Sequence, residues 1–127
     1  MRGTTILDQD SRGCLSFDLK DVLHAIGSEV EESDWEIESI ESLGERATIL
    51  QEVSAERRRI SGSELMALAN RVYQVIDGEF RAIRKNEAQP WLVIRAVDSS
   101  GYDVFCEAAA VHERLEESFK HVVAIPD

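Results

Sequence analysis

Hydrophobic positions recur along this chain in two rhythms, and the change from one to the other marks its elements. Leu19, Val22, Leu23 and Ile26 fall at the i, i+3, i+4, i+7 spacing of one helical stripe. Asp18 stands where a side-chain oxygen can accept from a first-turn N–H, and Gly27 can take the left-handed conformation that ends helices. The spacing predicts a helix over 18–27, short enough to depend on packing rather than on propensity. Trp35, Glu36, Ile37, Glu38 and Ser39 then alternate with period two. That is a strand with Trp35 and Ile37 inward and Glu36 and Glu38 outward. Ile40 breaks the parity, so the strand ends or bulges there.

Residues 45–60 fit a helix weakly through Ile49, Leu50, Val53 and Ile60, with Arg57, Arg58 and Arg59 near its C-terminus, where cations are favoured. Ser61-Gly62-Ser63-Glu64 fits a capping box, in which Ser and Glu reciprocally satisfy orphan backbone donors. Leu65, Leu68, Ala69, Val72, Val75 and Ile76 follow at helical spacing and predict a helix over 61–76, ended by Asp77-Gly78. A competing reading makes 73–83 a hairpin on a two-residue Asp-Gly turn. The unbroken stripe favours the helix. Strands are predicted at 79–85, 91–98 and 102–107, and the short connections 86–90 and 99–101 make them an antiparallel meander. Trp91-Leu92-Val93-Ile94 is apolar on both faces, as in a central strand covered on both sides. A last helix is predicted over 108–121, with Val111, Leu115, Phe119 and Val122 on its buried side. Within 1–17, two short apolar runs flank a stretch of turn composition at 8–13, which gives either a hairpin or a loosely held arm. The class is therefore α+β. An antiparallel sheet of four or more strands, with the meander at its centre, packs against about three helices.

Composition sharpens this picture. The 127 residues suit one domain, 1–127. Hydrophobic residues make up 43% and charged residues 31%, a globular balance. The 25 acidic residues against 14 basic give a net charge of -11, which repels nucleic-acid phosphates and anionic membranes. Neither nucleic acid nor membrane is an expected partner. The acids Glu29, Glu31, Glu32, Asp34, Glu36, Glu38, Glu41 and Glu45 have no Lys or Arg among them and are expected on the surface. The two cysteines, Cys14 and Cys106, form no disulfide framework, and the start of the chain has no apolar leader segment. A cytoplasmic setting is expected.

Candidate chemistry is sparse. His112 and His121 are nine apart, not the three or four that places two ligands on one helical face, and His24 lies on another element. Asp98, Ser99 and Ser100 read as turn chemistry, without the Gly-x-Ser-x-Gly elbow of a nucleophile. Cys106 has Asp103 and Glu107 as neighbours, which oppose thiolate formation. The acidic run lacks the spacing of a calcium loop, and the scattered glycines make no phosphate cradle. No catalytic residue, metal ligand or cofactor is assigned.

The second face of the meander is more informative. If Phe80, Ala82, Leu92, Ile94, Ala96, Tyr102 and Val104 face the helices, then Arg81, Ile83, Trp91, Val93, Arg95, Val97, Asp103 and Phe105 point the other way. Aromatic, aliphatic and arginine side chains in one set are the composition enriched at protein interfaces. The expected partner-binding residues are Arg81, Ile83, Trp91, Val93, Arg95 and Phe105, with Glu36 and Glu38 supplying negative charge. The competing expectation is that the N-terminal arm or residues 45–60 cover this face. The functional expectation is a small, acidic, non-enzymatic protein that binds another protein, in the manner of an inhibitor or immunity protein for a basic partner. Two other classes stand beside it: a small-ligand binder or enzyme whose site gathers distant residues, and a homo-oligomeric structural protein joined through the sheet face.

Overall fold

The computed structural model describes residues 1–44 and 47–126, with the backbone alone at Ser39, Ala47 and Tyr73. Its strands are β1 (Gly3–Ile6), β2 (Asp34–Gly44), β3 (Ile60–Ser61), β4 (Val72–Ile83), β5 (Leu92–Val97), β6 (Gly101–Cys106) and β7 (Val122–Ile125). Its helices are α1 (Leu19–Ile26), α2 (Glu29–Glu32), α3 (Ala47–Ala55), α4 (Gly62–Ala69) and α5 (Ala109–Ser118). The strands form one seven-stranded sheet in the order β3-β2-β4-β5-β6-β1-β7, and every pairing is antiparallel. The α+β class agrees with the sequence, β4-β5-β6 form the central meander, and seven strands satisfy the expected four or more, while five helices stand among the described residues where about three were expected.

One hydrophobic cluster joins Leu23 of α1, Val30 of α2, Leu50 of α3, Leu65 of α4 and Leu115 of α5 to the inward side chains of the sheet. All seven meander residues expected to face the helices belong to it. Two contacts fix how the layer sits. Asp18 caps α1, and its Oδ1 accepts from Leu19 N–H at 2.8 Å, from Val75 N–H of β4 at 3.2 Å and from the Tyr102 hydroxyl of β6 at 2.5 Å. His112 of α5 is fully buried, with the Thr4 hydroxyl 2.6 Å from Nδ1 and the Cys106 carbonyl 2.7 Å from Nε2. A carbonyl only accepts, so Nε2 carries a proton and donates it to the Cys106 carbonyl.

Three sequence expectations need correction. The helix expected over 61–76 ends at Ala69, and Val72–Ile83 is one continuous strand, so neither that helix nor an Asp-Gly hairpin forms. The bulges that break the β2–β4 register place buried Val72 and Val75 three residues apart, which imitates a helical stripe. The helix expected over 108–121 ends at Ser118, and the chain turns into β7 where Asp8 carboxylate oxygens receive the N–H groups of Lys120 and His121. The N-terminal segment is not a loose arm: 3–6 inserts between β6 and β7 as an inner strand, and the turn lies beyond it, where 8–16 folds back through the Gln9–Leu15 bridge, the Asp10 N–H on the Cys14 carbonyl and the Ser16 N–H on the Asp8 carbonyl.

Candidate partner-binding face

Antiparallel pairing puts directly opposed residues on one side of a sheet, so the register itself builds the face turned away from the helices. One row runs Glu36, Arg81, Val93, Phe105, Gly3 and Ile125. The next runs Glu38, Glu79, Arg95, Asp103, Thr5 and Val123. Among the described residues, neither the N-terminal strand nor α3 covers these rows, and of 47–60 Arg59 reaches Glu36 at their border. The N-terminal strand belongs to the sheet itself, and α3 contributes Leu50 and Val53 to the core on the other side.

The charges on this face form a ladder. Arg59 holds Glu36 at 2.9 Å, Arg81 reaches Glu38 at 2.6 Å and also pairs with Glu79, and Arg95 meets Glu79 at 2.6 Å. The Arg95 guanidinium then lies 5.2 Å from the centre of the Phe105 ring, and Thr5 donates to Asp103 at 2.7 Å. The bond from Arg81 lowers the Glu38 pKa, and the bonds to Glu38 and Glu79 raise that of Arg81 against the opposing effect of burial. Beneath the ladder, Ile83 and Val93 are buried yet stand outside the helix-side cluster. Long charged side chains can shield such residues by laying their stems over them.

The expected face residues do not all share one role. Arg81, Val93, Arg95, Phe105, Glu36 and Glu38 lie in the two rows, and Ile83 stands opposite Asp34 beyond the first. Trp91 is different. It is 9% exposed, belongs to the helix-side cluster and donates its indole N–H to Ser33 at 2.8 Å. Arg84 lies 4.4 Å over its ring and pairs with Glu29 at 2.9 Å. These contacts use the tryptophan inside the fold, so it does not add to an open aromatic patch.

Glu79 and Asp77 were not singled out for this face in the sequence, which gave Glu41 only as a surface acid and Arg59 only as a basic residue apt to pair with the acidic run, as it does with Glu36. With Glu38, Arg95 and Val97, the first three line a shallow depression of about 450 Å³ across β2, β4 and β5. Period-two alternation backwards from Arg81 would have found Glu79 and Asp77, had the continuous β4 been recognised. Glu41 follows a register break, and Arg59 arrives from a separate element. Of the acidic run, Glu31, Glu32, Glu38 and Glu41 are exposed, Trp35 and Ile37 are buried as expected, and Glu45 lies outside the described residues.

Elsewhere the polar side chains serve the fold. The Ser99 hydroxyl accepts from Gln74, Ser100 donates to the Val97 carbonyl, and Asp98 and Ser99 take positive φ in the β5–β6 turn. Cys106 is buried, which pushes its thiol pKa up. Among the described residues, no group of three or more His, Cys, Asp or Glu side chains has the arrangement of a metal site, and no helix is long and apolar enough to cross a membrane. No family model matches the chain, and neither a curated protein nor a solved structure matches it.

Proposed function

We propose that this chain is a non-enzymatic binding protein whose open sheet face receives a basic segment of another protein. The observation that carries the reading is the depression lined by Glu38, Glu41, Asp77 and Glu79, where four carboxylates have one lining cation, Arg95. Arg81 and Arg95 already bridge Glu38 and Glu79, so the carboxylates left for a partner are chiefly Glu41 and Asp77, the latter also accepting from the Asp98 N–H. Val97, 41% exposed at the rim, and half-buried Phe105 supply apolar contact beside the charge. A partner lysine or arginine entering here gains attraction at a partly desolvated surface, and the net charge of -11 steers it in. An inhibitor or immunity protein for a basic enzyme is one form such a protein takes.

A hexa-arginine peptide titrated into isotope-labelled protein tests the reading by amide shift changes. The expected shifts concentrate on β2, β4 and β5 around Glu41, Asp77 and Val97, and Glu41→Lys weakens the peptide at least tenfold. Shifts spread evenly over α2 and α5 as well, or an affinity unchanged by Glu41→Lys, overturn it.

A further inference from the structure

The two borders of the sheet are protected unequally. Beyond its short pairing with β3, β2 carries Glu36, Glu38 and Glu41, charges of the kind that keep an edge from pairing with another chain. The opposite border is β7, Val122-Val123-Ala124-Ile125, which has no charged side chain. The Leu7 N–H bonds the His121 carbonyl, and the Cys106 N–H bonds the Arg2 carbonyl. Alternation along both ladders then directs His121, Val123 and Ile125 toward β1 and leaves the N–H and C=O of Val122 and Ala124 pointing outward.

This open ladder is bracketed on both sides. Before it, the Lys120 N–H is already held by Asp8 at 2.8 Å. After it comes Pro126, which has no N–H to give. The strand therefore offers two donors and two acceptors, two residues apart. A second β7 running antiparallel about a two-fold axis at Val123 matches that set: Val122 pairs with Ala124 of the other copy, and Ala124 with its Val122. Shifting the register by one pair either way requires the occupied Lys120 donor or the missing Pro126 donor. Side chains agree with the backbone. Val123, 45% exposed, meets its own counterpart across the axis, and Ile125, packed beside Phe105 over Gly3, lies diagonal to it.

We infer that the chain self-associates through β7, joining two seven-stranded sheets edge to edge and leaving both carboxylate-lined depressions free at the far borders. The inference is independent of the basic partner. Sedimentation equilibrium of the intact chain tests it. The expected mass rises from 14.3 kDa toward twice that value as the protein is taken from low to high micromolar concentration. Val123→Lys places like charges face to face on the axis, so that variant should stay at the monomer mass with an unchanged circular dichroism spectrum. Val123→Cys in a Cys14→Ser background should cross-link under diamide, because residues opposed at a non-hydrogen-bonded position lie within disulfide reach. A monomer mass across the whole range, a dimer that survives Val123→Lys, or no cross-linking of the Val123→Cys chain overturns the inference.

Discussion

Asp18 shows how much one side chain can hold together here. A single carboxylate oxygen serves the start of α1, the backbone of β4 and the phenol of β6. Burial raises its pKa above the usual carboxylate value, and its hydrogen bonds only partly offset that effect. The same burial and the neighbouring carboxylate push the Tyr102 phenol up. A carboxyl group whose folded pKa lies above its unfolded pKa binds protons more readily in the folded state. Stability contributed by Asp18 is therefore greatest in acid and falls as pH rises from about 4 through the raised pKa. Asp18→Asn keeps an oxygen in place for all three donors and removes the charge. Urea midpoints between about pH 4 and pH 7 should lose that component of their slope in the variant. Asp18→Ala removes the acceptor and should cost about 2 kcal/mol at neutral pH. A wild-type slope that the Asn variant leaves unaltered would assign the pH dependence to other groups.

Among the elements, the junction of β3, α4 and α2 depends on a glycine for reasons of space. A Cβ on Gly62 would stand 1.9 Å from the Val30 carbonyl oxygen, and backbone cannot yield as a side-chain tip can. Gly62 also donates its N–H to the Ser33 carbonyl at 2.9 Å, and the Val30 carbonyl accepts from the Trp35 indole N–H at 2.9 Å, so both sides of the clash are tied in place. Gly62→Ala should destabilise by about 3 kcal/mol, read as a lowered urea midpoint with an unchanged slope, despite the higher helix propensity of alanine. Nothing in the sequence announces this, because Ser61-Gly62-Ser63-Glu64 shows only its local half. Ser61 does cap α4, accepting from the Glu64 N–H at 3.1 Å. What was legible rested on near neighbours: the Asp18 cap, the α1 stripe, the inward Trp35 and Ile37, and the meander with its short loops. What was not legible rested on distant pairing. Val72 to Ile76 became strand because β2 lies beside it, although bulges gave its buried residues a helix-like spacing. Thr4 to Ile6 became an inner strand because β6 and β7 are on either side of it. The sheet face was half legible, since alternation located Arg81, Val93, Arg95 and Phe105, whereas the Ser33 and Arg84 contacts that absorb Trp91 come from elsewhere in the chain.

At the scale of the whole molecule, two electrostatic effects of opposite sign compete, and distance decides between them. The ladder pairs touch: Arg59–Glu36, Arg81–Glu38 and Arg95–Glu79 lie at 2.9, 2.6 and 2.6 Å. Each exposed pair contributes only about 0–1 kcal/mol, and contact distances lie well inside the Debye length of about 8 Å at physiological salt, so added salt weakens them little. The excess of 25 acids over 14 bases acts instead over many longer separations. Those exceed 8 Å in large part and feel the full change as the Debye length shrinks from about 30 Å at 0.01 M. Screening should thus remove more repulsion than attraction. The thermal midpoint is expected to rise by roughly 4 °C over that range, corresponding to about 1 kcal/mol in a domain of this size. Calorimetry in sodium chloride measures it, and a midpoint that falls would show that the ladder outweighs the net charge. The same salt acts in the opposite direction on a basic partner, since attraction across an open face is screened as it forms. A hexa-arginine peptide should therefore lose affinity over the range in which the protein itself gains stability.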